Sequence, residues 1–190
     1  MEFIDYAEAL DLLKEQGIQE SHEGENLVYL ELGGGETVVH LHLACNESTT
    51  APRQGADVVR VEKDRLPGAV EHILHKLHLA HVLLVPVSKW RHVFDAVAFS
   101  MAGNEDWQAV DTAGAVALNS RDPLLCDPGD LHTIVELIKA LLGDAERPEQ
   151  GFVVTTTATP FVVEIVPDGA ARISIGNPVL ADEVAETLSA

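Results

Sequence analysis

Four histidines stand three residues apart in Glu71-His72-Ile73-Leu74-His75-Lys76-Leu77-His78-Leu79-Ala80-His81, and His40 and His42 stand two apart upstream. Imidazole ligates transition metals and titrates near neutral pH, so these six of the nine histidines are where chemistry is sought first. On a helix, each three-residue step turns back by about 60°, and four such residues sweep about 180°. They cannot all reach one ion. Val70, Ile73, Leu74 and Leu77 make the buried stripe, while Glu71, His75 and His78 share one shoulder of it. His72 faces away, and His81 belongs to the approach to the next strand. Two residues apart on a strand, His40 and His42 project from one face, about 6.6 to 7 Å from each other. The metal site that this spacing allows is Glu71, His75 and His78, completed by His40 or His42. Such a set suits zinc or another divalent transition metal, which would activate a bound water as in a metal-dependent hydrolase. The same spacing also describes boundary histidines that bond only water and carbonyl oxygens, because two ligands on one helix make an unspecific pattern.

Other catalytic patterns are weaker. Cys126 precedes a helix start, where a dipole can activate a thiol, but His132 lies nearly two turns further on and is badly placed to pair with it. Gly33-Gly34-Gly35 leads into a strand and lacks a following Lys-Ser or Lys-Thr, so it is no phosphate loop. No Gly-x-Ser-x-Gly elbow occurs. Trp90, Arg91, His92, Trp107 and Arg121 could surround a pocket in the middle of the chain, as a small-molecule sensor would need.

The elements that must position these residues follow from periodicity. Phe3, Ala7, Leu10 and Leu13 recur at helical spacing, and Gly17 supplies the stop. After a polar loop, Leu27 to Leu32 and Thr37 to Leu43 flank Gly33-Gly34-Gly35-Glu36 and read as a hairpin with a four-residue loop. That register pairs Leu32 with Thr37, Leu30 with Val39 and Val28 with Leu41, and sets Tyr29 opposite His40 and Leu27 opposite His42. Residues 47 to 55 read as an exposed loop, and 57 to 62 as a strand. The histidine helix runs from Leu66 to His78, with Pro67 in its first turn. Val82 to Val87, apolar on both sides, reads as a central covered strand. Ser88 is placed to cap a helix bearing Trp90, Val93, Phe94, Val97 and Met101. Val110 to Leu118 reads as a strand, and Asp127-Pro128-Gly129-Asp130 opens a helix that Gly143 stops. Strands 152–158, 161–166 and 172–175 and a helix capped by Asn177-Pro178 complete the chain.

The expectation is an α+β protein with a mixed, largely antiparallel sheet and helices packed mainly on one side, forming one compact domain. Residues 2 to 78 and 128 to 188 share the order helix, hairpin, strand, helix and could be related halves. Acids outnumber Lys and Arg by 31 to 12, giving a net charge of −19 spread along the whole chain. That charge repels nucleic acid and anionic membrane, which excludes both as partners. The longest apolar stretch is far too short to span a bilayer. Two isolated cysteines and an opening without a basic, apolar leader fit a cytoplasmic protein. No motif calls for a cofactor. The function expected is a non-enzymatic protein-interaction or adaptor domain with a protein partner or self-association. A divalent-metal protein built on the histidine shoulder is the alternative.

Overall fold

The computed structural model describes residues 1–33, 37–114 and 116–189. Among them are ten strands: β1 Glu2–Phe3, β2 Ile18–Glu23, β3 Leu27–Leu32, β4 Val39–Ala44, β5 Asp57–Arg60, β6 Val82–Pro86, β7 Leu124–Cys126, β8 Phe152–Thr155, β9 Phe161–Val166 and β10 Ala170–Ile175. The α-helices are α1 Tyr6–Glu15, α2 Leu66–Lys76, α3 Trp90–Val97, α4 Glu105–Ala113, α5 Leu131–Asp144 and α6 Pro178–Ser189. Eight strands form one sheet in the order β1-β7-β6-β8-β9-β10-β4-β5. Every neighbouring pair in it is antiparallel except β4 with β5. The fold is thus α+β with a mixed, largely antiparallel sheet.

Alternation along the strands separates two cores. One face of the sheet, with Leu84, Val154, Val163, Ile173 and Leu41, meets the buried stripes of α2, α3, α4, α5 and α6. The other, with Leu83, Val85, Val153 and Val162, meets α1 and the β2–β3 pair. Five of the six described helices therefore lie on one side. The central strand expected at Val82 to Val87 is there: β6 lies between β7 and β8, buried on both faces.

The expected hairpin does not form. Leu27–Leu32 pairs instead with Ile18–Glu23, the stretch read as a polar loop, from Ile18 opposite Leu32 to Glu23 opposite Leu27. Gly24, at φ 69, takes the turn between them. Val39–Ala44 joins the large sheet between β10 and β5, so Tyr29 and Leu27 do not face His40 and His42. The aliphatic residues of the two strands do not share one face: Leu30 and Leu32 serve one core and Leu41 and Leu43 the other. Of the connecting loop, residues 34–36 lie outside the described residues.

Four further expectations are corrected. The Ala- and Val-rich stretch 110–118, whose Ala115 lies outside the described residues, is mostly helix. Asn104 caps α4, its Oδ1 accepting the Trp107 N–H at 2.9 Å, and Trp107 and Val110 are buried one turn apart. Asp5 caps α1 and Phe3 precedes it in β1, so the buried pair is Ala9 and Leu13. Lys89, without a side-chain capping bond, occupies the N-cap expected for Ser88. The Trp90 to Trp107 pocket is filled by its own rings: Phe94 stacks on Trp107 at 4.4 Å, and Trp90 sets its edge against Phe94 and donates from Nε1 to the Asp122 carbonyl at 2.7 Å.

Candidate functional site: a charged cleft beneath the β2–β3 pair

Strand β9, Phe-Val-Val-Glu-Ile-Val, places a single carboxylate in an otherwise apolar run. Its register sets Glu164 opposite Arg172 on β10, and Arg172 in turn lies opposite His42 on β4. Directly opposed residues project to the same face, so Glu164, Arg172 and His42 form a polar row across the sheet. The next row on that face is Val162, Ser174 and His40.

A third polar layer comes from the loop between β4 and β5. The Oδ2 atom of Asp168, in the β9–β10 turn, accepts bonds from Ser48 Oγ at 3.0 Å, from the Thr49 and Thr50 N–H groups at 2.9 Å each, and from Thr50 Oγ1 at 2.8 Å. This anchor brings Arg53 over the row, where it bonds both Glu164 and Glu31 of β3. Arg172 Nη1 reaches the other oxygen of Glu164 at 3.2 Å and Glu23 of β2 at 3.3 Å. One carboxylate, 1% exposed, thus holds two guanidinium groups side by side, and each guanidinium holds a glutamate at the rim.

Glu23, Glu31, Arg53 and Arg172, with His40, Ser174 and Gln54, line a cleft of about 460 Å³, and Glu164 lies buried behind the two guanidinium groups. Burial raises the Glu164 carboxyl above its ordinary range, with Arg53 and Arg172 pulling it back. Burial works against the charge of Arg53, yet Glu164 and Glu31 override it and raise its pKa. Burial, then Arg53, lowers the His40 pKa, and its Nδ1 sits 2.8 Å from Ser174 Oγ. Burial lowers His42 as well, assisted by Arg172 and Arg60. His42 is 2% exposed and its Nδ1 has no partner among the described residues; nor has Nε of the opposed Arg172. Arg53 and Arg172 thus meet Glu23, Glu31 and Glu164 as a set of fixed ion pairs, beside an imidazole at His40 whose charged form burial disfavours.

The histidine shoulder lies elsewhere. α2 stops at Lys76, short of the His78 end expected, and His78 itself takes φ 47. His75 and His78 line a second cavity with His81, Cys126 and Asp127, on the helix side of the sheet. Glu71, on α2, does not line that cavity, His40 lines the charged cleft, and His42 is enclosed beside it. The fold brings His75 and His78 together and sets His40 and His42 at a different cavity. Among the described residues no three His, Cys, Asp or Glu side chains are placed to hold a metal ion. Nor is Cys126 a poised nucleophile: burial pushes its thiol up to about 12.

The sequence reading missed Glu164, Arg172, Arg53 and Asp168. Lone charges inside Phe161–Val166 and Ala170–Ile175 were the available signal, since a charge in a covered strand must find a partner. Comparison with protein-family models, curated proteins and solved structures returned no match. The class that the fold and cleft define is an α+β protein with a buried ion network under a two-stranded flap, and no described helix is long and apolar enough to cross a membrane.

Proposed function

We propose that this chain is a non-enzymatic protein-interaction domain that receives a basic segment of a partner at the rim of the charged cleft. The observation that carries this reading is where the scarce bases go. Arg53, Arg121 and Arg172, three of only twelve, turn inward at 18, 17 and 14% side-chain exposure to hold the β2–β3 pair. The outer surface is consequently more acidic than the composition alone implies. At the rim, the Glu23 and Glu31 side chains are 46 and 37% exposed, each with one oxygen committed to a guanidinium and the other without a partner among the described residues. A Lys- or Arg-rich segment supplies the complementary charge, and steering by the −19 protein speeds its encounter. The two free, buried cysteines fit a cytoplasmic setting.

Fluorescence anisotropy with a labelled Lys/Arg-rich peptide tests the proposal. Binding should saturate and weaken as salt is raised, and Glu23→Gln with Glu31→Gln should weaken it about tenfold, the scale of a lost charge-assisted contact. The control pair, Glu183→Gln with Glu186→Gln on α6, removes the same charge from a different surface. Equal losses from the two pairs would reduce the interaction to diffuse attraction and sink the reading.

A further inference from the structure

The cavity that His75 and His78 line has no part in the charged cleft, and its chemistry differs. It encloses about 310 Å³, near the lower end of small-molecule pockets. Leu74, Val82, Cys126 and Ile134 make an apolar floor, all of them buried. Around it stand three imidazoles, His75, His78 and His81, and one carboxylate, Asp127; no Lys or Arg is among the lining residues. His81 Nε2 is already 3.2 Å from Thr157 Oγ1, which fixes that ring against β8's end. Asp127 is fixed too, because it caps the turn leading into α5 and its own N–H donates to Asp130 at 2.9 Å. His78 takes a left-handed backbone, φ 47, that glycine would adopt with less strain.

A bare ion requires donors that converge, and among the described residues none do so in threes. The occupant must be larger. An imidazole ring nitrogen can serve as an acceptor, and the lining holds one carboxylate and no Lys or Arg, so the rim complements a donor-rich cation. The floor complements a hydrocarbon body. The field of a protein at −19 also concentrates cations at its surface.

We propose that this cavity binds a small apolar amine, its protonated ammonium held by Asp127 and the rim imidazoles and its aromatic or branched body seated on Leu74, Val82 and Ile134. The site is independent of the basic-partner surface, which lies on the opposite face of the sheet.

Isothermal titration at about pH 8, above the ordinary histidine range, tests this with three probes of one shape. Phenethylamine should bind saturably at one per chain, 2-phenylethanol about tenfold more weakly, and 3-phenylpropionate more weakly still. Asp127→Asn should keep the fold, since Asn caps helices about as well as Asp, and should weaken the amine about tenfold. His78→Gly should raise the melting temperature while weakening amine binding, a split that a purely structural histidine would not give. The proposal fails if phenylpropionate binds as well as the amine, or if both variants leave the affinity unchanged. It also fails if phenethylamine shows no binding up to about 5 mM, where even millimolar affinity is detectable.

Discussion

Replacing Glu164 by Gln preserves its size and removes the charge on which two guanidinium groups converge. Both carboxylate oxygens are engaged, one by Arg53 and one by Arg172, and the side chain is 1% exposed. Charge-assisted bonds of this kind are worth about 1.5 to 3 kcal/mol each, and breaking a buried ion pair at one partner costs about 3 to 5 kcal/mol. Glu31 and Glu23 stay in place to hold part of the guanidinium charge, which favours the lower end, about 3 kcal/mol. For a chain of this length that is a fall of roughly 6 to 12 °C in melting temperature. Urea denaturation of the wild type, Glu164→Gln, Arg172→Met and the double variant measures both the loss and the coupling. The double variant should lose less than the two single losses added together, because the second removal no longer strands a charge. A Glu164→Gln loss below about 1 kcal/mol, or simple additivity, would refute the account of the network given above.

Three other outcomes are expected. Because the Cys126 thiol is pushed up to about 12 by burial, the folded chain keeps a proton that the unfolded chain releases above about pH 8.5. Stability should therefore fall by about 2 kcal/mol between pH 8 and 10, and denaturation of Cys126→Ala should show that slope removed. On the acid side, His40 and His42 are lowered by burial, so their contribution is present above the ordinary value near 6.5 and is lost as pH falls below it. A double His→Gln variant should flatten the denaturation midpoint between pH 7.5 and 5, and an unchanged slope would show that neither ring is responsible. Gly169→Ala should be strongly destabilising, since φ is 97 and a Cβ would lie 2.3 Å from Cys45 Sγ. Adding Cys45→Ala should recover the steric part of the loss but not the backbone part, as read by thermal melts of both variants.

The elements most legible in the sequence were those whose apolar pattern had a single interpretation. β6 is apolar on both faces and is buried on both, and the α5 stripe from Ile134 to Leu142 is buried as its spacing requires. Pattern failed where the local signal was compatible with two partners. β3 and β4 each alternate correctly, yet nothing local says that they line opposite cores, and polar β2 is a strand only because β3 is available to pair with it. Ala109, Val110 and Ala113 could sit in a strand, but Asn104 and the burial of Trp107 one turn before Val110 decide for a helix. For the site, His40 was legible as a strand residue sharing a sheet face with His42. Its neighbours were not: Arg53 reaches Glu164 from a loop far away in the chain, and Arg172, although only eight residues from Glu164, meets it through the register of the β9–β10 pair.

Register is also where Glu164 has its widest effect. Without that carboxylate, Phe161–Val166 would read as an apolar strand on both faces, able to pair with β8 and β10 one residue out of step at little cost to burial. A one-residue slip reverses the facing of every side chain. It would drive Glu164 into the aliphatic layer beneath α2 and α5, away from Arg53 and Arg172. The buried charge thus penalises that slip, because the misaligned pairing would bury Glu164 without either guanidinium.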